Sequence, residues 1–559
     1  MSAGGSLTAD GLATESRLSR ALRALRLERR LSVGELCIAL IGLGAIGLLA
    51  LGPRIQHGGF SMDDWSNAVL ALNPSGSRDF GHALSDFASF TIYRPVLVVY
   101  VPLTYFVFGM HMHYHLAFAA VLAVLVATMF YGVLRTLGVP WVHAATISAL
   151  TIVFPWSDST RLWVTADQLT LSLFFMFAGL LIALQGLRRP GWKWHGCAVL
   201  LYLLSILTYE ITLPLIACLG VLYWVLVGWQ AAKWRWLADL TVAVAGGIWV
   251  WTNTVKTKSG ISDDLAHSGE IIKKGGEIFG RAAFPFGSPE TGLVLAVVAV
   301  LLCLGVWARF AFPQRFASQG SWGLQQWLAL TAGGVVLASL GWVIFIPAEP
   351  YYTPTIFGEV NRVNGLAAFG LILAVYGSFG TLAVLVCQAG ARGRLPAAVL
   401  TALLGVVLLA SYTHVLRRHI QLWNTAYDAS AFAIQETKRQ LPRLPSGTTV
   451  IASGYPAYQA PGVPILATDW DYDGMVRMEY ADSSLSAYPL LEYLHVRLVC
   501  RAEDMAVQIE GRPERTVAYG TVRLLDLATG VHANPKSPDE CRREVDEYVP
   551  GPTFLSETY

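Results

Sequence analysis

Runs of about twenty apolar residues, separated by short polar or basic connectors, recur along the first three quarters of the chain. A helix rises about 1.5 Å per residue, so roughly 20 such residues cross a hydrocarbon core, and about 17 is the practical minimum. By that measure spans are expected at 31–51, 114–135, 142–157, 167–186, 196–210, 211–228, 237–254, 292–312, 326–346, 363–388 and 396–412. The pattern predicts a polytopic α-helical membrane protein with about eleven transmembrane helices. A further apolar stretch, 96–109, is too short to join them, carries Pro102 in its middle, and lies between Arg94 and the polar run His111, His113, His115.

Basic residues decide how that short stretch is read, because Lys and Arg in short loops stay on the cytoplasmic side. If 96–109 does not span, Arg135, Arg188, Arg189, Lys193, Lys233, Arg235, Arg309, Arg315, Arg392 and Arg394 all share one side with the arginine-rich arm 1–30. The stretch is therefore expected to be an interfacial helix inside one long outer loop, 52–113. A second outer loop, 255–291, shows amphipathic helical spacing around Ile271, Ile272, Ile278 and Phe279, which suits a helix closing over a site like a lid. The arm spaces its arginines every three residues, either as a basic helical face against anionic lipid or as an orientation signal. The apolar run that follows is span-length and lacks a small-residue cleavage site, so it reads as a retained anchor.

Composition agrees with a membrane class: of 559 residues, 54% are hydrophobic and only 14% charged, more apolar surface than a soluble chain could bury. Three domains are expected: a cytoplasmic arm 1–30, a transmembrane unit 31–412, and a soluble outer α/β domain 413–559 where hydrophobicity falls. Within the last, helices are predicted near 427–440 and 485–495, and strands near 448–452 and 516–525. Cys37, Cys197, Cys218, Cys303 and Cys387 fall in predicted spans as small buried apolar residues. Only Cys500 and Cys541 lie in aqueous segments, so one disulfide between them is expected. The chain shows no Walker loop, GxGxxG, nucleophile elbow or CxxC metal pair, and no nucleic-acid partner is expected.

A set of short motifs follows the same order as a known family. They are Met62-Asp63-Asp64-Trp65, Tyr93-Arg94-Pro95-Val96, Phe108-Gly109 with Tyr114-His115, Phe154-Pro155 with Arg161 and Asp167, and Tyr209-Glu210. Together they resemble the GT-C superfamily of polyprenol-phosphate-sugar-dependent membrane glycosyltransferases, especially the O-mannosyltransferase-like branch. The likeness covers roughly residues 31–230 and rests on hydropathy alone beyond Glu210. Tyr209 stands where that branch usually has a lysine, and the C-terminal segment lacks tetratricopeptide periodicity.

The resemblance implies transfer of a sugar from a polyprenyl-phosphate donor to an extracytoplasmic hydroxyl on a glycan, lipid-linked sugar or protein, with inversion. An alcohol is a poor nucleophile until its proton is being removed, and a carboxylate in the first outer loop suits that task. Asp63 is the first choice of base, with Asp64 orienting the acceptor or serving as base itself; the other reading is a cap for the helix starting near Trp65. The leaving lipid phosphate asks for guanidinium forks, and Arg94, Arg161 and Arg362 are the candidates, unless they form structural ion pairs with Glu359, Asp158 or Glu210. Glu210, with Pro214 one turn on, either positions the catalytic loop or a phosphate-binding arginine, or marks a helix boundary. Asn361 precedes Arg362 at a span edge, and Tyr351 and Tyr352 offer aromatic faces to sugar or prenyl chain, or to the membrane interface.

The three histidines have no carboxylate or cysteine companion, so no metal site is assigned; some enzymes of this kind use a divalent metal and others do not. The expected location is a bacterial cytoplasmic membrane, N-terminus inside and C-terminal domain outside, with the lipid bilayer as partner. The competing class is a multi-pass transporter or flippase of lipid-linked sugars, which usually shows repeated halves; no internal repeat is visible.

Overall fold

The structure is a computed structural model that describes residues 31–76, 79–188, 191–254, 261–286, 322–348, 350–388, 394–545 and 548–554. The arm 1–30, the expected span 292–312 and Cys303 lie outside these residues. Among the described residues seven helices are long and apolar enough to cross a membrane, from Val33–His57 to the last, Ala397–Gln440. Pro95–Phe108, Trp141–Val153 and Lys193–Thr208 are apolar but shorter. The chain is thus a helical membrane protein with a small sheet domain at its C-terminal end.

Local chemistry sets several of the boundaries. Ser32 caps the first helix by accepting from Glu35 N at 3.1 Å, and Asp79 caps Phe80–Thr91 by accepting from Gly81 N at 2.8 Å. The span expected at 142–157 stops at Val153, because Pro155 opens the 3-10 turn Pro155–Ser157. The helices Leu324–Val343 and Gly365–Gln388 approach so closely that a Cβ at Gly334 would lie 2.4 Å from Ala374 N, and one at Gly370 2.2 Å from Ala338 N. Small residues at a crossing let two backbones pack directly, as membrane helices do.

Where the sequence marks a boundary near 413, one helix runs unbroken from Arg394 to Gln440. It leads into the sheet domain, where β2 (Tyr458–Ala460) and β3 (Val463–Pro464) form an antiparallel pair, and a four-stranded sheet is built on β1 (Thr449–Ser453), which runs parallel to β4 (Ser486–Pro489) on one side and β8 (Val522–Asp526) on the other, with β9 (His532–Ala533) antiparallel to β8. A three-stranded antiparallel sheet, β5 (Arg497–Cys500), β6 (Asp504–Gln508) and β7 (Arg515–Ala518), lies beside it. Cys500 at the end of β5 is bonded to Cys541 in the helix Pro538–Val545. The helix expected at 485–495 is instead β4 followed by a 3-10 turn, Glu492–Leu494, since pairing with β1 claims Ser486–Pro489. Cys37, Cys197 and Cys218, expected to be buried, are exposed on helix faces.

The two parts share an interface. Helix Asp469–Tyr480 of the sheet domain packs on helix Asp63–Leu72, and a Cβ at Gly474 would sit 2.8 Å from Trp65 C.

Candidate active site

The acid pair opens helix Asp63–Leu72, and the residue before it, Met62, takes φ 47°, a region that side chains rarely occupy. Strain of this kind persists only where the surroundings over-determine it. Here they do so through Asp64, which is fully buried. Its Oδ2 accepts from Ser61 N at 2.8 Å, and its Oδ1 accepts from Thr165 N at 2.8 Å and Thr165 Oγ1 at 2.6 Å. Tyr105 OH donates to the Asp64 carbonyl at 2.7 Å. Burial pushes the Asp64 carboxyl up to about 7, while the Thr165 and Ser61 donors pull the other way. Both oxygens are committed to holding the strained turn, while the cap position itself belongs to Met62 and carries no side-chain cap bond.

Asp63 is half-buried and differently placed. Its Oδ1 accepts from Trp470 Nε1 at 2.7 Å, across the interface with the sheet domain. Its Oδ2 accepts no hydrogen bond among the described residues. Desolvation raises its carboxyl, and the Trp470 donor and the charge of Arg362 oppose that rise. An acid with one open oxygen and a neighbouring guanidinium can accept a proton.

Arg362 sits in the 3-10 turn Glu359–Asn364, with its guanidinium carbon 5.0 Å from the Trp163 ring centre, 5.7 Å from Tyr351 and 6.0 Å from Tyr352. Aromatic faces hold the fork without consuming its donors. Its Nη1 makes a long bond to the Glu359 carbonyl, 3.5 Å, and the Tyr351 hydroxyl lies within hydrogen-bonding reach of the fork. Glu359 itself accepts from Tyr351 OH at 3.1 Å, its other oxygen lacks a partner, and its backbone N–H donates to Gly462 O at 2.7 Å.

Arg94 is engaged by Glu210: Nε donates at 2.9 Å and Nη2 at 2.6 Å, a bidentate pair. Tyr209 lies 3.8 Å from the guanidinium carbon and Tyr93 5.0 Å, so the fork is stacked as well as paired. Tyr352 feels both Arg94 and Arg362 electrostatically, which ties the two arginines to one neighbourhood.

Arg161 is held differently from the other two arginines. It is buried, with Nη2 donating to the Phe154 carbonyl and Nη1 to Thr160 Oγ1 at 3.5 Å, and Asp158 is the charge acting on it. These bonds tie it to a carbonyl at the helix break after Val153 and to its neighbour Thr160. Asp158 and Asn361 belong to the same framework. Asp158 accepts from Asn361 Nδ2 at 2.6 Å and pairs with His419 Nδ1 at 2.6 Å, and Asn361 Oδ1 accepts from Ser159 Oγ at 2.6 Å. These bonds pin the Arg362 turn to the 158–162 segment and to the last helix.

Sequence reasoning missed Trp470, Trp163 and His419, which only the tertiary fold brings here. It also missed Arg54, whose Nε donates to Leu162 O at 2.9 Å, Nη2 to Gly59 O at 3.1 Å and Nη1 to Asn424 Oδ1 at 3.1 Å, stapling the loop before the acid pair. His111, His113 and His115 diverge: His113 Nδ1 bonds to Ile55 O, and buried His115 bonds to Gly109 O among aromatic rings. Among the described residues no group of three or more His, Cys, Asp or Glu could hold a metal ion.

No family model matches the chain, and no curated protein does. Solved structures similar to it include two oligosaccharyltransferases. One is the archaeal oligosaccharyltransferase AglB from Archaeoglobus fulgidus in complex with an inhibitory peptide and a dolichol-phosphate, at 14% identity and TM-score 0.37, covering 81% of this chain and 64% of that one. The other is the Archaeoglobus fulgidus oligosaccharyltransferase in complex with Zn and sulfate, at 12% identity and TM-score 0.36, covering 81% and 62%. The chain spans less than two thirds of the length of either.

Proposed function

We propose that the protein is an integral-membrane glycosyltransferase that moves a sugar from a polyprenyl-phosphate donor to a hydroxyl acceptor on the outer side of a bacterial cytoplasmic membrane. One observation carries the reading: of two adjacent aspartates, Asp64 is saturated by the fold while Asp63 keeps an open oxygen within the field of Arg362. The ordered motifs that resemble the GT-C superfamily support it independently.

In this reading the acceptor oxygen attacks the anomeric carbon and loses its proton to Asp63. The bond from that carbon to the phosphate oxygen breaks on the opposite face, and its electron pair leaves with the prenyl phosphate. Arg362 meets the charge that develops there with donors that no carboxylate occupies. Arg94 contributes through its remaining Nη1, since Glu210 holds the other side of its fork. A single displacement of this kind inverts the anomeric centre. Trp470 both fixes the rotamer of Asp63 and brings the sheet domain to the acceptor side.

The test is an in vitro transfer assay on the full-length protein with candidate prenyl-phosphate sugars. Loss of a general base costs about 10²- to 10⁴-fold, so Asp63→Asn should lose turnover to that extent while keeping the Trp470 bond through its amide oxygen. Full turnover by Asp63→Asn would remove Asp63 from the mechanism.

A further inference from the structure

The turn that carries Arg362 also contributes Val360 to a cleft of about 670 Å³. Its walls are the amphipathic helix Ile261–Ala283, the Val415–Leu422 stretch of the last helix, the loop before the turn, and Pro461–Gly462 of the sheet domain. The charged lining is cationic. Lys274, Arg281 and Arg418 face it together with His419, against one carboxylate, Glu277. Glu277 is shared, at 3.4 Å from Lys274 Nζ and 3.3 Å from Arg281 Nη2, so it can neutralise only one of them. Arg418 pairs with no carboxylate among the described residues, and Arg281 Nε is buried without a partner.

Cations gathered in a partly enclosed space repel one another, and a bound anion relieves that repulsion while taking charge-assisted bonds from the open donors. The rest of the lining is apolar or aromatic, with Trp156, Ile356, Phe357 and Leu422 among it. That combination selects an anion attached to an apolar or glycosyl body, and a phosphate ester matches the fork best. The cleft also borders the chemistry. Val360 follows Glu359, whose N–H is bonded to Gly462 O at 2.7 Å and whose carboxylate interacts electrostatically with Asp63.

We propose that this cleft binds a phosphate ester carried by the acceptor, so that the enzyme glycosylates a polar, phosphate-bearing acceptor. Naming the ligand an acceptor rests on the glycosyltransferase reading; the anion site itself does not. Two sources present the same chemistry, a phosphate-bearing acceptor and a phospholipid headgroup of the bilayer.

The experiment titrates the full-length protein, in a non-ionic detergent at fixed ionic strength, with inorganic phosphate, glycerol phosphate and short-chain phosphatidylglycerol, and reads the unfolding temperature. A saturable rise is expected with at least one of the three and none with matched chloride. Removing one charge-assisted donor should raise the half-saturating concentration about tenfold or more in Arg418→Gln, whose exposed side chain the fold does not need, and in Lys274→Gln. Saturation by glycerol phosphate alone assigns the site to a polar acceptor phosphate, as proposed. A response that needs acyl chains reassigns it to bilayer lipid and overturns the acceptor claim. Equal shifts in wild type and both variants, or a shift that chloride reproduces, overturn the site. Asp63→Asn should keep the temperature shift; if it does while no donor supports transfer by the wild type, the cleft stands and the glycosyltransferase reading falls.

Discussion

Gly474→Ala should separate the sheet domain from the acid pair. The added methyl would lie 2.8 Å from Trp65 C, 2.9 Å from Ser66 N and 2.9 Å from Trp65 O. All three are backbone atoms of the helix that begins at Asp63, so no side-chain rotation relieves them. Carbon contacts settle at about 3.5 Å, and helix Asp469–Tyr480 must therefore retreat by roughly 0.6 Å or more. Trp470 is four residues earlier on the same helix face and moves with it. Its 2.7 Å bond to Asp63 would stretch past about 3.3 Å, beyond the normal range for such bonds. Overpacking costs about 1–3 kcal/mol, and a lost bond to a charged acceptor adds about 1.5–3 kcal/mol. Thermal unfolding of the full-length protein should therefore show clear destabilisation. Transfer should fall at least tenfold, because Asp63 loses the partner that sets its rotamer. Gly196→Ala, which meets nothing within 4 Å in its helix, is the control and should not destabilise. Wild-type unfolding and wild-type turnover in Gly474→Ala would refute the claimed contact and the coupling built on it.

Asp64 supplies a pH signature. Its folded carboxyl titrates near 7 because burial disfavours the anion, against 3.8 for the exposed group, so the folded state holds the proton more tightly. That contribution is fully present below about pH 4, is lost as pH rises toward 7, and amounts to at most about 4 kcal/mol. Asp64→Asn should flatten this part of the stability profile, and unfolding midpoints with the same slope from pH 5 to 8 in both proteins would contradict the assignment. Arg94 and Glu210 should couple in a double-mutant cycle. Arg94→Ala and Glu210→Gln each leave a mostly buried partner unpaired, at about 1–3 kcal/mol, and the double variant should fall short of the sum by about 0.5–3 kcal/mol. Strict additivity would mean that the bidentate pair contributes nothing.

The membrane helices were legible because span length is a property of composition alone: a helix apolar on every face needs no knowledge of its neighbours. Their ends were less legible. Pro155 stops one helix early, while nothing in the sequence announces that Arg394–Gln440 continues for 47 residues. The stretch 485–495 failed for a different reason. Its apolar spacing suits a helix, but Ser486–Pro489 gains more by pairing in register with Thr449–Ala452, a choice made by residues more than thirty positions away. Trp470 escaped notice likewise, since the acid it bonds is 407 residues distant.

The two aspartates show where local chemistry could have gone further. As a doublet they are equivalent, and what finally separates them is Thr165, 101 residues along the chain. Yet one local cue was present. Ser61 and Asp64 stand three apart at a helix start, the spacing at which an acidic side chain reaches back to the backbone N–H that opens the helix, and Ser61 N does donate to Asp64 at 2.8 Å. A carboxylate drawn into that exchange is buried and saturated, so its neighbour is the one left with an oxygen to use. The same logic sorts the arginines: Arg161 fills a carbonyl exposed by a helix break, whereas Arg362 is held largely by rings and by no carboxylate ion pair among the described residues. In both pairs the residue the fold does not consume is the one available to chemistry, which is why Asp63 and Arg362, rather than Asp64 and Arg161, are where substitution should cost turnover more than stability.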